Sequence, residues 1–526
     1  MRAVLLAGLG GVVACAGGPA TEGRSSLSTA RREEQVAIGA HNEITHVSAG
    51  ERLVFAASTR GVLIYDALFR GWLPPLAMDD AFSRAPTALA ADPTEDAVWI
   101  GTTGRIIYYR PRIDYAVTTT VLGMPQDIFF DRRDLGAGAY VRAGSSVLRV
   151  SRTGSASPAT LPPSQDRLRS PTSQDVLRQY PSLETFLPLL TRGEDLEQWP
   201  ATAATLAPGR SDVWLGTRGN GLYRVDPTFN RAEHLPFGLL DPGIGALALA
   251  ADGVWAGGLG SPGERAGIVF ASEDLQRWRW LTGPPSRPLL GARVNALGIR
   301  DRSAWIATTR GLLRMSVDDD EAVDRWDLAD GLPSDVATSV APRTGGAWVG
   351  TSGGLALVEQ SVRAIGPRVA IHDLVLGSDT LWIASDAGVL ALAPSDSGPR
   401  RLAVDDARLS RSIVSLARAD TVLAVVTSSE LIEIDIGRRQ ILPPRAANVS
   451  ALGRIARVAL DAHTIWLVGE GGALAIHRPS GRSSFLPVPM NLLAPATSVV
   501  LSRDIAWIGT RDGLVRIRRR SDGMPP

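Results

Sequence analysis

Hydrophobic and polar residues alternate along most of the chain in short runs broken by glycine, proline and aspartate. That period-two pattern predicts strands rather than helices. The stretch from Asp335 to Val358, DVATSVAPRTGGAWVGTSGGLALV, shows the unit. Val336 to Val340 alternates, Pro342 to Gly346 turns, Ala347 to Thr351 pairs back, Gly353-Gly354 turns again and Leu355 to Val358 follows. The turn glycines supply the positive φ that tight hairpins need. Segments such as Arg325–Leu328 predict a fourth, outer strand.

The unit recurs. It reads VWIGTTGRIIYY from Val98, VWLGTRGNGLYRV from Val213, VWAGG from Val254 and AWIATTRGLLRM from Ala304. It continues as AWVGTSGGLALV from Ala347, LWIASDAGVLAL from Leu381, IWLVGEGGALAIH from Ile465 and AWIGTRDGLVRI from Ala506. Eight of the 13 tryptophans fill one equivalent slot: Trp99, Trp214, Trp255, Trp305, Trp348, Trp382, Trp466 and Trp507. Degenerate copies place Phe55, Tyr140 and Leu423 there. Most neighbouring slots lie 41–44 residues apart. A period of about 40–45 with a recurring aromatic predicts four-stranded blades, and so an all-β propeller. The tryptophan surplus is then a repeat property, suited to packing between blades.

Eleven copies exceed the roughly four to eight blades of one ring, so two rings are expected. The Pro/Gly-rich TGPPSRPLLGA, Thr282 to Ala292, separates five copies from six. The expected units are blades over 34–283 and blades over 293–526, with one large ring or a discontinuous split as the alternatives. The last copy ends near Arg518 without an outer strand, whereas EEQVAIGA, Glu34 to Ala40, precedes the first. This N-terminal strand is predicted to complete the last blade and so protect an open edge.

GLPSDVATSVAPRTGGAWVGTSGGLALV, from Gly331, resembles the two-component regulator propeller repeat, in which Gly-Leu-Pro and Trp-Ile-Gly-Thr recur before Gly-Leu. The resemblance covers about Gln35 to Arg518; the family's Asp-Gly turn is degenerate, and Leu423 and Val425 replace Trp and Gly in the weakest copy. It implies a periplasmic sensor propeller, which in that family is joined through a membrane span to a histidine kinase. The sequence here includes neither, so the expected role is binding a ligand or protein and acting through a partner.

At the N-terminus, Arg2 precedes an apolar run from Ala3 to Val13, too short to span a bilayer of about 30 Å and fitting a signal-peptide core. Val12-Val13-Ala14-Cys15 resembles a bacterial lipobox, with Val12 where Leu is preferred. The expectation is a signal peptide over 1–14, lipidation of Cys15 and a small, polar, flexible tether over 15–33. Ala16 after the cysteine favours the outer membrane of the cell envelope, facing periplasm or cell surface.

Charge and composition mainly exclude. The 55 basic and 54 acidic residues nearly cancel, giving no reason to expect nucleic-acid binding. No residue is lysine, which removes phosphate-loop, Schiff-base and general-base lysines. One cysteine excludes an intramolecular disulfide and a Cys-rich zinc site. Neither a cofactor nor a metal is expected. Gly350-Thr351-Ser352-Gly353-Gly354 matches G-x-S-x-G, but the same slot in other copies holds GTTG and GTRG, so the repeat explains it. His372-Asp373 opens a blade's first strand, as a local hydrogen-bonded pair or facing a channel. Asp318 to Glu321 lacks the spacing of a calcium loop, and Arg516 to Arg520 reads as a solvated tail. Tyr108-Tyr109 and Trp278-Arg279-Trp280 fit either sugar stacking or outer-strand packing.

One gap of 74 residues leaves an insert near 164–199. Val176, Tyr180, Leu183, Leu187 and Leu190 follow helical spacing, and Thr172 with Asp175 has the spacing of a capping box. Pro181 and Pro188 divide the segment into two short helices. The insert is a helical cap on the propeller rim or a partner-docking element, with Tyr180, Phe186, Leu187 and Trp199 as docking residues. The leading expectation is a non-enzymatic, lipid-anchored binding propeller. The alternatives are a propeller enzyme acting on polysaccharide, marked by a polar pocket holding His372 or paired carboxylates, and an outer-membrane assembly scaffold.

Overall fold

The computed structural model describes residues 34–77, 85–192, 198–261, 265, 267–282, 292–318 and 323–526. Among them the chain forms eleven antiparallel sheets, ten of four strands and one of five. Each is a blade, numbered here in chain order: 44–77, 88–120, 125–168, 201–235, 244–281, 294–326, 337–365, 371–401, 415–441, 455–487 and 496–518. The molecule is an all-β propeller assembly. Gln35–Ile38 pairs with Gly513–Arg518, Gln35 opposite Ile517 and Ile38 opposite Leu514, so the N-terminal strand completes blade 11.

In five of the eleven blades the second strand carries Trp-x-Gly, and these blades meet the next one through that glycine. A methyl group on Gly257 or Gly350 would stand 2.5 Å from a side-chain carbon of Val294 or Ile371, the first inner-strand residue of the next blade. The absent Cβ is therefore the socket for a branched neighbour. The same seating joins Gly216 of blade 4 to Ile44 of blade 1, and Gly509 of blade 11 to Ile244 of blade 5. The Trp slot lies two residues earlier, on the same second strand.

These contacts correct the expected five-plus-six division. Blade 5 belongs with the six that follow it: the inner strands of blades 5 to 11 pack in order, and blade 11 returns to blade 5. Thr497 Oγ1 donates to the Ile244 carbonyl at 2.6 Å across that closure. The result is one closed ring of seven and a set of four, blades 1 to 4, in which blade 4 packs on blade 1. Chain order alone favoured a cut at 283/293, because the contacts that close the seven-blade ring join residues more than 250 positions apart. Most of the 282–292 segment lies outside the described residues.

The four-blade set is inserted between Gln35–Ile38 and blade 5. The two crossing segments run side by side: Leu239 N donates to Gly39 O at 3.0 Å, and Asn42 Nδ2 to Leu240 O at 3.3 Å. Aromatic packing fuses the units, with Trp72–Phe237 and Phe237–Trp278 ring centres 4.9 and 4.8 Å apart. Trp278 and Trp280 are buried there, and Tyr108 and Tyr109 are buried in blade 2, so these aromatics serve packing.

Between blades 3 and 4 the insert replaces a blade-to-blade contact. Helix α1 (Ser173–Gln179) starts at Thr172, whose side chain and that of Asp175 form the reciprocal capping box. Helix α2 (Ser182–Leu190) follows Pro181, with Pro188 inside it. Fully buried Val176 and Leu183 lie on Val213, Leu215, Tyr223 and Val225, the face of blade 4 that a preceding blade would otherwise cover. Just before the helices, Arg167–Leu168 pairs with the inner strand of blade 3, and Ser170 Oγ meets Ser48 Oγ of blade 1 at 2.6 Å.

Candidate functional site

The innermost strands share an irregularity that positions side chains on the ring axis. In blades 5, 6, 7, 8, 10 and 11 the register skips one residue: Gly245, Asn295, Thr338, His372, Ala456 and Thr497. A bulge leaves its extra residue unpaired and re-aims it. All six, with Val414 of blade 9, line one axial cavity of about 700 Å³. Every blade of the seven-membered ring therefore contributes to its wall.

Some bulge side chains also lock the wall. Asn295 Nδ2 donates to Ala337 O at 2.7 Å and Thr338 Oγ1 to Ile371 O at 2.5 Å, each crossing to the next blade. Thr202 Oγ1 makes the equivalent bond to Ile44 O in the four-blade set. Such bonds satisfy carbonyls at a blade junction and fix the cavity's shape.

The charged groups in this cavity are Arg293, Arg454, Arg457 and Arg511, with Glu470 the one acidic residue among its described lining. Burial, and after it the positive charges of Arg457 and Arg511, pull the Arg293 guanidinium below its ordinary range. His372 Nε2 lies 2.8 Å from Asp386 Oδ1, which also accepts from Ser412 Oγ at 2.8 Å; the histidine holds that carboxyl below its usual range. His372 and Asp373 are thus not a mutual pair: Asp373 Oδ2 accepts from Ser415 Oγ at 2.7 Å. The arrangement suits recognition of negatively charged oxygen, with one oriented imidazole on the rim.

Apart from His372, the sequence-predicted positions do not converge on this cavity. Cys15 lies outside the described residues. Trp99, Trp214, Trp466 and Trp507 are completely buried, Trp255, Trp305 and Trp382 nearly so, and Trp348 is half-buried. Trp99 Nε1 donates to Asp92 at 2.9 Å, and Trp305 stacks on Trp326 with centroids 5.6 Å apart. In the insert, Tyr180 and Leu187 pack on blade 4, Phe186 stands at 36% exposure, and Trp199 carries the Arg265 guanidinium 4.9 Å above its ring.

Ser352 Oγ meets Ser334 Oγ at 2.8 Å, and Gly350 serves as a blade socket, so the G-x-S-x-G match marks packing. The reading of 516–520 as a solvated tail is corrected: Arg519 is buried, paired with Asp461, and donates to Ser502 O at 2.7 Å. Asp319 to Glu321 lie outside the described residues. Among the described residues no group of three or more His, Cys, Asp or Glu is placed to hold a metal ion, and no helix is long and apolar enough to cross a membrane. The arginine quartet escaped sequence reasoning. The bulge residues, by contrast, carry a linear signal: the position after the first apolar residue of each inner strand, as in VNAL, ATSV, IHDL and IARV.

No family model matches the chain, and no curated protein matches it. Solved structures do. PorZ, a surface component of the type-IX secretion system of Porphyromonas gingivalis, is 11% identical, with a TM-score of 0.52 over 92% of this chain and 87% of its own. The extracellular domain of BT4673 from B. thetaiotaomicron is 14% identical, with a TM-score of 0.44 over 92% of this chain and 76% of its own. Virginiamycin B lyase from Staphylococcus aureus is 14% identical, with a TM-score of 0.44 over 54% of this chain and 98% of its own. At these identities the likeness is one of fold.

Proposed function

We propose that the chain is a non-enzymatic binding propeller of the bacterial cell envelope, held to the membrane by lipid on Cys15 and working as a sensor or scaffold through a partner. The observation that carries the binding reading is the axial cavity, whose wall draws residues from all seven blades and whose shape is fixed by cross-blade hydrogen bonds. Its volume is that of a small-molecule site. Support for the envelope comes from the lipobox-like Val12–Cys15. PorZ, described as a bacterial surface component, offers an example of such a fold in that setting. The α1–α2 insert, with Phe186 outward, is the proposed docking element for a protein partner.

Affinity isolation from detergent-solubilised membranes, comparing full-length protein with a deletion of 164–199, tests the docking role. Recovered partners that do not change on deletion end it. Cys15→Ser is expected to release the protein from the membrane fraction, and unchanged fractionation sinks the anchor.

A second reading has an observation of its own. His372 faces the cavity and is oriented by Asp386, the polar-pocket arrangement expected of a polysaccharide-cleaving enzyme. Paired carboxylates are not among the described lining, so a lyase using an imidazole base fits better than a glycosidase with two acids. Product formation from uronic-acid polysaccharides, abolished by His372→Ala, would establish this reading; no turnover with wild type removes it.

A further inference from the structure

We propose that the axial cavity of the seven-blade ring binds a small polyanion presenting at least two carboxylate or phosphate groups. This rests on the binding reading above and gives that site its ligand class. Arg293, Arg454, Arg457 and Arg511 arrive from three blades at one cavity of about 700 Å³. Among the described residues none of the four has a carboxylate within ion-pair distance. Arg457 Nη1 reaches only the carbonyls of Val414 and Ala456, at 3.4 and 3.5 Å, the long limit for such bonds. Glu470 supplies one negative charge against four positive ones; it is exposed, as are Arg293, Arg454 and Arg511, while Arg457 is half-buried.

The contrast with the rest of the chain is what gives the cluster meaning. Several of the less exposed arginines elsewhere are held by an acid: half-buried Arg152 by Asp92 at 2.8 Å, half-buried Arg445 by Glu433, buried Arg519 by Asp461. On the axis the chain instead gathers like charges that repel one another, a local rule broken without any internal compensation. Such breaks belong to functional sites. An incoming anion restores the balance. Guanidinium forks suit carboxylate and phosphate oxygens because each offers parallel N–H donors in a fixed plane. Four forks around one volume favour a ligand with several charges over one with a single charge. Asn295, Thr338 and Thr497 are committed to cross-blade carbonyls, and the arginines are the charged donors left for the ligand.

Calorimetric titration of the full chain at low salt tests this with pyrophosphate and citrate as the phosphate and carboxylate arms, acetate as the single-charge control and glucose as the neutral one. At least one polyanion is expected to bind ten-fold or more tighter than acetate, weakening as salt rises. Arg293→Gln and Arg457→Gln are each expected to weaken it ten-fold or more. Arg277→Gln, which removes an arginine paired with Asp252 outside the cavity, should leave it unchanged. Thermal unfolding without ligand provides a separate readout: removing one charge from the quartet should leave Tm unchanged or raise it. No binding of either polyanion, or binding indifferent to both channel substitutions, overturns the proposal. A lowered Tm for both channel variants overturns it too, because it makes the arginines structural. If the polyanions fail while partner recovery from membranes still depends on 164–199, the ligand class is wrong and the binding reading stands.

Discussion

The junction that closes the seven-blade ring is testable at Gly509. A methyl group there would stand 2.5 Å from Ile244 Cγ2, 2.9 Å from Ile244 Cβ and closer still to Ser498 Oγ. Carbon atoms pack best at about 3.5–4.0 Å, so the methyl demands a displacement of about 1 Å. Overpacking of this kind costs about 1–3 kcal/mol, which outweighs the roughly 0.5–1 kcal/mol that replacing a strand glycine by alanine otherwise contributes. Gly509→Ala should therefore destabilise the ring by about 1–2 kcal/mol. Ile244→Ala alone leaves a void and costs about 2–5 kcal/mol. In the double variant the new methyl enters part of that void. The combined loss should fall short of the sum by about 1 kcal/mol, since residues in contact do not add.

A chain of two units need not unfold in one step, so native-state hydrogen exchange is the appropriate assay. Faster exchange is expected in peptides covering 244–250 and 496–510, with 88–120 of the four-blade set as the internal reference. Gly136→Ala is the control, at a site where the nearest obstacle is an Asp134 carboxylate oxygen 3.7 Å away. Strict additivity of Gly509→Ala and Ile244→Ala would refute the closure of blade 11 on blade 5. An equal effect on 88–120 would refute the separation of the seven-blade ring from the four-blade set.

Three further outcomes follow from buried groups. Asp92, whose side chain is wholly buried, accepts from Arg152 at 2.8 Å, Trp99 Nε1 at 2.9 Å and Thr94 N at 3.0 Å; Asp92→Ala leaves Arg152 with Glu95 alone, 3.4 Å away, and strands the buried Trp99 N–H, so it should cost about 3 kcal/mol, read as faster exchange in 88–120. Leu183→Ala, beneath α2 on blade 4, should cost about 2–5 kcal/mol and raise exchange across 213–225. His41 lies in the joint between the units with its pKa lowered to about 3, first by burial and then by Arg60. The folded state thus excludes a proton that the unfolded state takes up below about 6.5, so stability falls by about 1.4 kcal/mol per pH unit from there towards 3. His41→Gln should remove about one proton from that slope in urea titrations between pH 7 and 4.5; an unchanged slope refutes the assignment. His46, lowered by burial as well, leaves a remainder in the same direction.

What the sequence made legible is what local chemistry decides. The repeat period, the Trp-x-Gly-Thr strand, the strand Gln35–Ile38 that finishes blade 11 and the cap at Thr172 each rest on residues close together or on a motif repeated many times. Ring membership rests instead on two sockets, Gly216 for Ile44 and Gly509 for Ile244, which have the same local sequence as the sockets between consecutive blades. Nothing in the strand itself distinguishes a closing socket from an ordinary one, and a proline-rich stretch at 282–292 suggested a boundary elsewhere. Arg519 misled for a related reason: its acid partner Asp461 lies in another blade, so a run of arginines looked solvated. The channel quartet was hidden most deeply, because 293, 454, 457 and 511 meet only once the ring has closed.

The absence of lysine takes on a different meaning beside that quartet. In the sequence it only removed catalytic options. In the ring it bears on whether a cavity can stay positively charged without an internal counterion. A lysine ammonium crowded by like charges and partly desolvated sheds its proton more readily, since desolvation and repulsion both disfavour the charged form. Those same two influences lower Arg293, yet a guanidinium starts so far above neutrality that it keeps its charge. Substituting lysine for arginine at 293 and 457 together therefore separates charge from geometry. If the site works by fixed positive charge and planar donors, the double lysine variant should lose anion affinity steeply as pH rises from 6 to 9, while the wild type holds its affinity. Parallel pH profiles for the two proteins would show that charge state in the channel is not what the arginines provide.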